Sequence, residues 1–95
     1  MSDYKGKASQ SNIEMIAAPN PAHDIVMLRL SSDTKEAGII SWYNELGIAV
    51  QQTRVEWDGS EKEVEMNVSA LPAGIYFVRF NGETGSAFVK VTVYR

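Results

Sequence analysis

The sequence contains no cysteine, and this absence removes several kinds of chemistry. Without a thiol the chain has no disulfide bond, no thiolate nucleophile and no sulfur ligand for a metal ion. Histidine occurs once, as His23, between Pro21 and Asp24. We interpret it as a solvated loop histidine rather than the centre of a Ser-His-Asp triad. The sequence therefore favours a protein that is not an enzyme and needs no cofactor.

Long apolar runs and an excess of positive charge are also lacking. No run approaches the ~20 apolar residues that cross a bilayer, and the N-terminus lacks the basic and apolar regions of a signal peptide. An export signal would therefore have to lie upstream. The net charge of -3 disfavours nucleic acid as a partner, because neutralising phosphates requires a local excess of lysine and arginine.

The 95 residues, 44% hydrophobic and 22% charged, suit a single domain with one modest core. Residues 1–12 are polar without periodicity, and we interpret them as a linker or an expression scar. Residues 13–95 are assigned to one folded domain, in which runs with a period of two residues recur between turn signals. Strands are predicted at 13–17, 24–30, 37–44, 48–55, 62–68, 75–81 and 86–94.

The predicted fold is all-β, a seven-stranded antiparallel immunoglobulin-like β-sandwich without a helix. Within it, the spacing of Leu71, Gly74 and Tyr76 predicts a corner. Gly74 supplies a backbone conformation that a side chain would resist. Tyr76 can bury its ring while its hydroxyl bonds back to the main chain of the corner. Residues 82–85 are interpreted as a hairpin loop rather than a phosphate-binding loop, because no Gly-Lys-Ser/Thr follows.

Two further groups of side chains have alternative interpretations. The carboxylates of Asp58, Glu61, Glu63 and Glu65 suggest either a weak calcium site or an edge strand protected by charge, and we favour the edge strand because the ligand pattern of a calcium loop is incomplete. The aromatic residues exceed what one inward face can hold, so some must be exposed, and they suit either carbohydrate stacking or protein docking. They are Trp42, Tyr43, Trp57, Phe77, Phe88 and Tyr94.

Four segments resemble, in the correct order, the C-terminal sorting domain of cargo proteins of the type IX secretion system. They are Pro19-Asn20-Pro21-Ala22, the run from Trp42 to Gly47, the run from Leu71 to Val78, and Phe88-Val89-Lys90-Val91. The resemblance extends from Met15 to Arg95. Its structural motif residues are Pro19, Asn20, Pro21, Gly47, Leu71, Gly74 and Tyr76.

The resemblance implies a secretion signal that directs a parent protein across the outer membrane, by docking to the translocon or its carrier. The implied localisation is the periplasm in transit, followed by the outer membrane surface or the medium. The implied partners are outer-membrane translocon and carrier proteins and, in members that are cleaved, a sortase-like cysteine protease. The final hairpin, residues 74–95, is the part that similarity marks as most important.

A docking surface is predicted on this final hairpin, where apolar anchors and cations occur together. The predicted docking residues are Phe77, Arg79, Phe88, Lys90 and Tyr94. Strand addition to an uncovered last strand is a second docking mode, and the same edge allows a strand-exchanged homodimer at high concentration. The alternative function is an immunoglobulin-like adhesion or carbohydrate-binding module of a cell-surface protein, which explains the fold and the aromatic residues but not the order of the motifs.

Overall fold

The computed structural model describes residues 13–95, which form seven strands and no helix. The strands are β1 (Glu14–Ala18), β2 (Ile25–Ser32), β3 (Glu36–Tyr43), β4 (Ala49–Trp57), β5 (Ser60–Asn67), β6 (Gly74–Gly82) and β7 (Ser86–Val93). All seven predicted strands are confirmed, and no boundary differs by more than two residues. The interpretation of residues 1–12 as a linker or scar lies outside the described residues.

Two antiparallel sheets pack as a sandwich. One sheet has the strand order β1-β2-β5 and the other has the order β4-β3-β6-β7, so β3–β4 and β6–β7 are hairpins within the second sheet. The prediction that residues 62–68 form a charged edge strand is confirmed, because β5 lies at the edge of its sheet with Glu61, Glu63 and Glu65 exposed. Residues 13–95 contain no helix that could cross a membrane.

The core lies between the sheets and follows from the alternation of each strand. Val26, Leu28 and Leu30 of β2 are fully buried, and they face Ile40, Trp42, Val78, Phe80, Val91 and Val93 of the opposite sheet. Each such side chain contributes about 1.5–3 kcal/mol to folding by leaving water. This continuous apolar layer fixes which face of β6 and β7 points inward. Every second residue of the final hairpin is therefore directed to solvent.

Candidate docking surface

The outward face of the final hairpin gathers two aromatic and two basic residues. The β6–β7 register pairs Phe77 with Lys90 and Arg79 with Phe88, so the four side chains form a checkerboard, named here the hairpin patch. Directly paired side chains of this kind have Cβ atoms about 4.5–5.5 Å apart. The rings of Phe77 and Phe88, which are diagonal neighbours, stack with centroids 6.0 Å apart and an interplanar angle of 12°. The hairpin patch is therefore one continuous surface.

A shallow groove of about 350 Å³ crosses the hairpin patch. Its walls include Tyr43 of β3 and Asn81 of β6 in addition to Phe77, Arg79 and Phe88. The Arg79 Nε donates a hydrogen bond to Asn81 Oδ1 at 3.0 Å, which orients the guanidinium beside the rings. Phe88 is 60% exposed, although burial of a phenylalanine ring normally stabilises a folded protein. The groove thus offers an exposed aromatic surface next to a fixed cation.

The fifth predicted docking residue, Tyr94, lies elsewhere. It follows the end of β7, about 20 Å along an extended chain from Phe88. Its ring is 52% exposed and lies beside the ring of His23, with centroids 5.2 Å apart. The structure therefore brings four of the five predicted docking residues together and places Tyr94 at the far end of the last strand.

The corner at the start of β6 has the geometry expected from its sequence. The Tyr76 hydroxyl donates a hydrogen bond to the Pro72 carbonyl oxygen at 2.6 Å, while the Tyr76 ring and the Leu71 side chain are buried. Gly74 has a φ of 157°, which L side chains rarely adopt. A Cβ atom at this position would have only the Glu45 Oε1 nearby, at 3.6 Å. The requirement for glycine is therefore one of backbone conformation rather than space.

The other predicted turn glycine, Gly47, lies in the β3–β4 hairpin and has a φ of 82°. The side chain of Asn44 organises this turn, since its Oδ1 accepts hydrogen bonds from the amides of Leu46 at 2.9 Å and Ile48 at 3.1 Å. The segment from Trp42 to Gly47 thus combines a buried strand end with an ordered turn. Its role in the described structure is to end β3 and start β4.

The Pro19-Asn20-Pro21 segment binds the last strand. Both prolines follow cis peptide bonds. The Asn20 Nδ2 donates to the Lys90 carbonyl oxygen at 2.9 Å, and its Oδ1 accepts from the Thr92 amide at 3.0 Å. A single asparagine side chain therefore replaces part of a neighbouring strand. In the sequence this segment was identified through the family resemblance, which did not predict its contact with the last strand.

Ala22 continues the same contact with main-chain atoms. Its amide donates to the Thr92 carbonyl oxygen at 2.7 Å, and its carbonyl accepts from the Tyr94 amide at 2.9 Å. The C-terminal part of the β7 edge is consequently covered. This corrects the expectation that the whole edge is open, and the reason is that the β1–β2 connection crosses from one sheet to the other at this point.

Arg95 joins two connections at the same end of the sandwich, the one between β1 and β2 and the one between β5 and β6. Its guanidinium donates hydrogen bonds to the carbonyl oxygens of His23, Val68 and Leu71, and it lies 3.9 Å from the Asp24 carboxylate. These carbonyls belong to two separate connections, so one side chain joins them. Sequence reasoning missed this role because a terminal arginine has no local pattern that distinguishes it from a solvated charge.

The opposite end of the final hairpin is held by a buried carboxylate. Glu36, the first residue of β3, is fully buried. It accepts hydrogen bonds from the amides of Glu83 at 2.7 Å, Ala37 at 3.3 Å and Thr84 at 3.4 Å, and from the Thr84 hydroxyl. The amides of the 82–85 loop therefore bind the chain's own carboxylate, which agrees with the interpretation of this loop as a hairpin turn.

The ionisation of Glu36 reflects two opposed effects. Burial raises the pKa of its carboxyl, but the hydrogen bonds from the Thr84 hydroxyl and from the amides of Glu83, Thr84 and Ala37 favour the charged form more strongly. The pKa therefore lies below its ordinary value of 4.5. Above pH 4.5 the Glu36 carboxylate is ionised, and its hydrogen bonds attach the 82–85 loop to β3.

The acidic strand β5 has a different arrangement. Its Glu63 pairs with Arg29 of β2 across the sheet, with an oxygen-to-nitrogen distance of 3.1 Å. Within residues 13–95 no group of three histidine, aspartate or glutamate side chains is arranged to hold a metal ion. The acidic side chains of β5 thus border a sheet edge.

Comparison with known proteins gives one family and one fold. A family model described as the secretion system C-terminal sorting domain matches residues 17–94. Among solved structures, the CARDB domain of a Pyrococcus furiosus protein, crystallised in complex with di-metal ions, has a TM-score of 0.56 and 12% sequence identity. That likeness covers 90% of this chain and 88% of the other, and it shows the sandwich fold alone. No curated protein sequence matches the chain.

Proposed function

We propose a mode of action on the premise that this chain belongs to the family of secretion system C-terminal sorting domains, matched over residues 17–94. Membership in this non-catalytic family implies that the domain is a type IX secretion signal whose parent protein is secreted or reaches the cell surface. We propose that residues 13–95 act as a rigid docking unit. In this account the hairpin patch binds the outer-membrane translocon or its carrier while the domain is in the periplasm.

The observation that carries this proposal is the stack of the exposed Phe88 ring on the half-buried Phe77 ring, between two cations. Exposed aromatic side chains and arginine are the residues that contribute most to protein–protein binding when a partner covers them. The other outward residues of strands β6 and β7 are neutral, namely Ile75, Asn81, Ser86 and Thr92. The hairpin patch is therefore apolar at its centre and positive around it. It suits a partner with an apolar pocket and acidic side chains beside that pocket.

Preorganisation supports the same assignment. Glu36 holds the loop end of the hairpin, whereas Asn20 and Arg95 hold its other end. Binding to a surface that is already ordered loses less conformational entropy than binding to a flexible one. One buried carboxylate, Glu36, and two exposed side chains, Asn20 and Arg95, thus hold the two ends of the hairpin in place.

A reporter assay tests the proposal. The full chain is fused behind a signal peptide and a fluorescent protein, and its delivery to the surface of a host with this secretion system is measured. Lys90→Glu should leave the reporter in the periplasm, because it places a negative charge opposite the acidic partner. Lys62→Glu, the same change on exposed β5, should be delivered like the unmodified chain.

Delivery of the Lys90→Glu reporter at the unmodified rate would contradict docking through the hairpin patch. Delivery in a host that lacks the translocon would contradict the sorting function itself. The folded state of each variant is checked by circular dichroism, which should show strand and no helix.

The groove favours a second candidate function, carbohydrate binding. Sugar rings stack on exposed aromatic faces, and the groove supplies Phe77 and Phe88 together with the polar groups of Tyr43, Arg79 and Asn81. Titration of the chain with oligosaccharides from the host surface, followed by amide chemical shifts, would detect such binding. Shifts confined to the groove and lost in Phe88→Ala would support this candidate, and the absence of shifts would remove it.

A further inference from the structure

By residues 13–95, the edge of β7 is covered over only part of its length. In an antiparallel strand, the amide and the carbonyl of one residue both point to the same side of the strand. Those of the next residue point to the opposite side. Asn20 accepts a hydrogen bond from the Thr92 amide, and Ala22 donates one to the Thr92 carbonyl, so both groups of Thr92 point away from β6. The same holds for every second residue of β7 counted from Thr92. The amide and carbonyl of Phe88 and the amide of Lys90 lie in the same row. Among residues 13–95 no main-chain or side-chain group bonds these three.

Both edges of the three-stranded sheet are better protected against pairing than β7 is. Natural proteins block an edge with charges, prolines or short strands. Strand β5 has four charged residues in eight, and β1 has five residues and is followed by Pro19 and Pro21. Strand β7 has one charge, Lys90, within the sequence SAFVKVTV. The other edge of the four-stranded sheet, β4, carries Arg54 and Glu56 in its second half.

We propose that the β7 edge from Phe88 to Lys90 is a strand-addition site for an extended segment of a partner polypeptide, with an apolar residue beside Phe88 and an acidic residue beside Lys90. The inference rests on the proposed function, because the partner is taken to be a component of the secretion machinery. Main-chain pairing gives such a complex its affinity, and the side chains on alternate positions give it specificity.

Two features define the occupant. Asn20 and Ala22 already form hydrogen bonds with the outer edge of the chain from Lys90 to Tyr94. An added segment would extend this strand-like contact toward Phe88. The charged outward residues of strands β6 and β7 are Arg79 and Lys90, both positive, so an acidic side chain is complementary. A second copy pairing β7 with β7 would supply no carboxylate, because β7 contains no acidic residue.

A pair of substitutions separates main-chain pairing from side-chain contact. Phe88→Pro and Phe88→Ala both remove the ring, but only proline also removes the amide. Proline is tolerated on an edge strand where the amide points away from the sheet, so the β6–β7 pairing should persist. Surface delivery of the full-chain reporter should fall about tenfold further for Phe88→Pro than for Phe88→Ala, the factor expected for ~1.4 kcal/mol of lost pairing.

Equal delivery of folded Phe88→Pro and Phe88→Ala would overturn strand addition. The proposed sorting function would still hold in that case if the unmodified chain is delivered. Failure of the unmodified chain to be delivered would overturn both. If Phe88→Pro does not fold, Lys90→Pro and Lys90→Ala make the same comparison at the next open amide.

A measurement without substitution completes the test. Amide hydrogen exchange of the unmodified chain is followed with and without the host's purified carrier protein. The amides of Phe88 and Lys90 should exchange rapidly in the free chain and slow at least about tenfold when the carrier is bound. Unchanged rates in a formed complex would overturn the proposal. Slowing that follows the concentration of the chain alone, with a dimer in sedimentation, would assign the edge to a second copy and also overturn it.

Discussion

The two outer faces of the sandwich differ in whether their exposed basic side chains have carboxylate partners. On the β1-β2-β5 sheet, Arg29 and Glu63 neutralise each other across neighbouring strands. On the final hairpin, Arg79 and Lys90 flank the stacked rings of Phe77 and the exposed Phe88, and no carboxylate lies among the outward residues of β6 and β7. The inner faces of both sheets are apolar, so the core does not require this difference. The difference is that Arg29 has a carboxylate partner on the neighbouring strand, whereas no outward carboxylate of β6 or β7 is available to Arg79 and Lys90.

The largest expected effect separates the buried carboxylate that supports the hairpin from an exposed carboxylate on the other sheet. Glu36→Gln should reduce the free energy of unfolding by about 3 kcal/mol, because several amide donors lose a charged acceptor in a buried site. Glu63→Gln should cost less than about 1 kcal/mol, since its ion pair with Arg29 is exposed. Urea titrations of both variants measure the difference. Similar costs would show that the hairpin is not held more firmly than β5.

The same carboxylate predicts a dependence on pH. Because the pKa of Glu36 is lower in the folded state than its ordinary value of 4.5, its contribution is complete at neutral pH. That contribution should be lost as the pH falls below about 4.5 and the folded-state carboxylate becomes protonated. Urea titrations at pH 7 and at about pH 3 should therefore show a smaller difference between the unmodified chain and Glu36→Gln at the acidic pH. A constant difference would contradict the role of the charge.

The corner at the start of the hairpin gives a smaller effect. Gly74→Val should cost about 1–3 kcal/mol because valine is strained at a φ of 157°. Tyr76→Phe should cost about 0.5–1.5 kcal/mol through loss of the hydrogen bond to Pro72. Denaturation curves that coincide for both variants and the unmodified chain would show that the corner does not stabilise the hairpin.

Local patterns in the sequence predicted the strands and the corner but not the contacts that hold the hairpin. Alternation identified Val26, Leu28 and Leu30 as inward because burial acts residue by residue along a strand. Glu36 appeared to precede a strand, and its partners Glu83 and Thr84 are 47 and 48 residues away. No periodicity encodes a partner at that separation.

The same limit applies to the end of the hairpin. Asn20 bonds residues 70 and 72 positions away, and the one available signal was a side chain with both a donor and an acceptor between two prolines that lack an amide. The alternation of β7 also predicted Tyr94 to lie with Phe88 on the docking face. The strand ends at Val93, and Tyr94 lies beside His23 instead.

The smallest expected effect on stability belongs to the hairpin patch itself. Lys90→Glu and Lys62→Glu each change an exposed side chain, and each should alter the free energy of unfolding by less than about 0.5 kcal/mol. Chemical denaturation measures both. A large loss for Lys90→Glu alone would mean that its effect on delivery reports unfolding rather than docking.

The most direct test of the docking account uses one exposed apolar residue from each outer face. Phe88 and Ile16 are 60% and 57% exposed, so they are closely matched in accessibility. The affinity of the purified chain for the host's purified carrier is measured for Phe88→Ala and Ile16→Ala by calorimetry. The account predicts that Phe88→Ala weakens binding at least about tenfold, as truncation of an aromatic anchor does, and that Ile16→Ala leaves it unchanged. Equal affinities for the two variants would contradict the assignment of the hairpin patch as the docking surface.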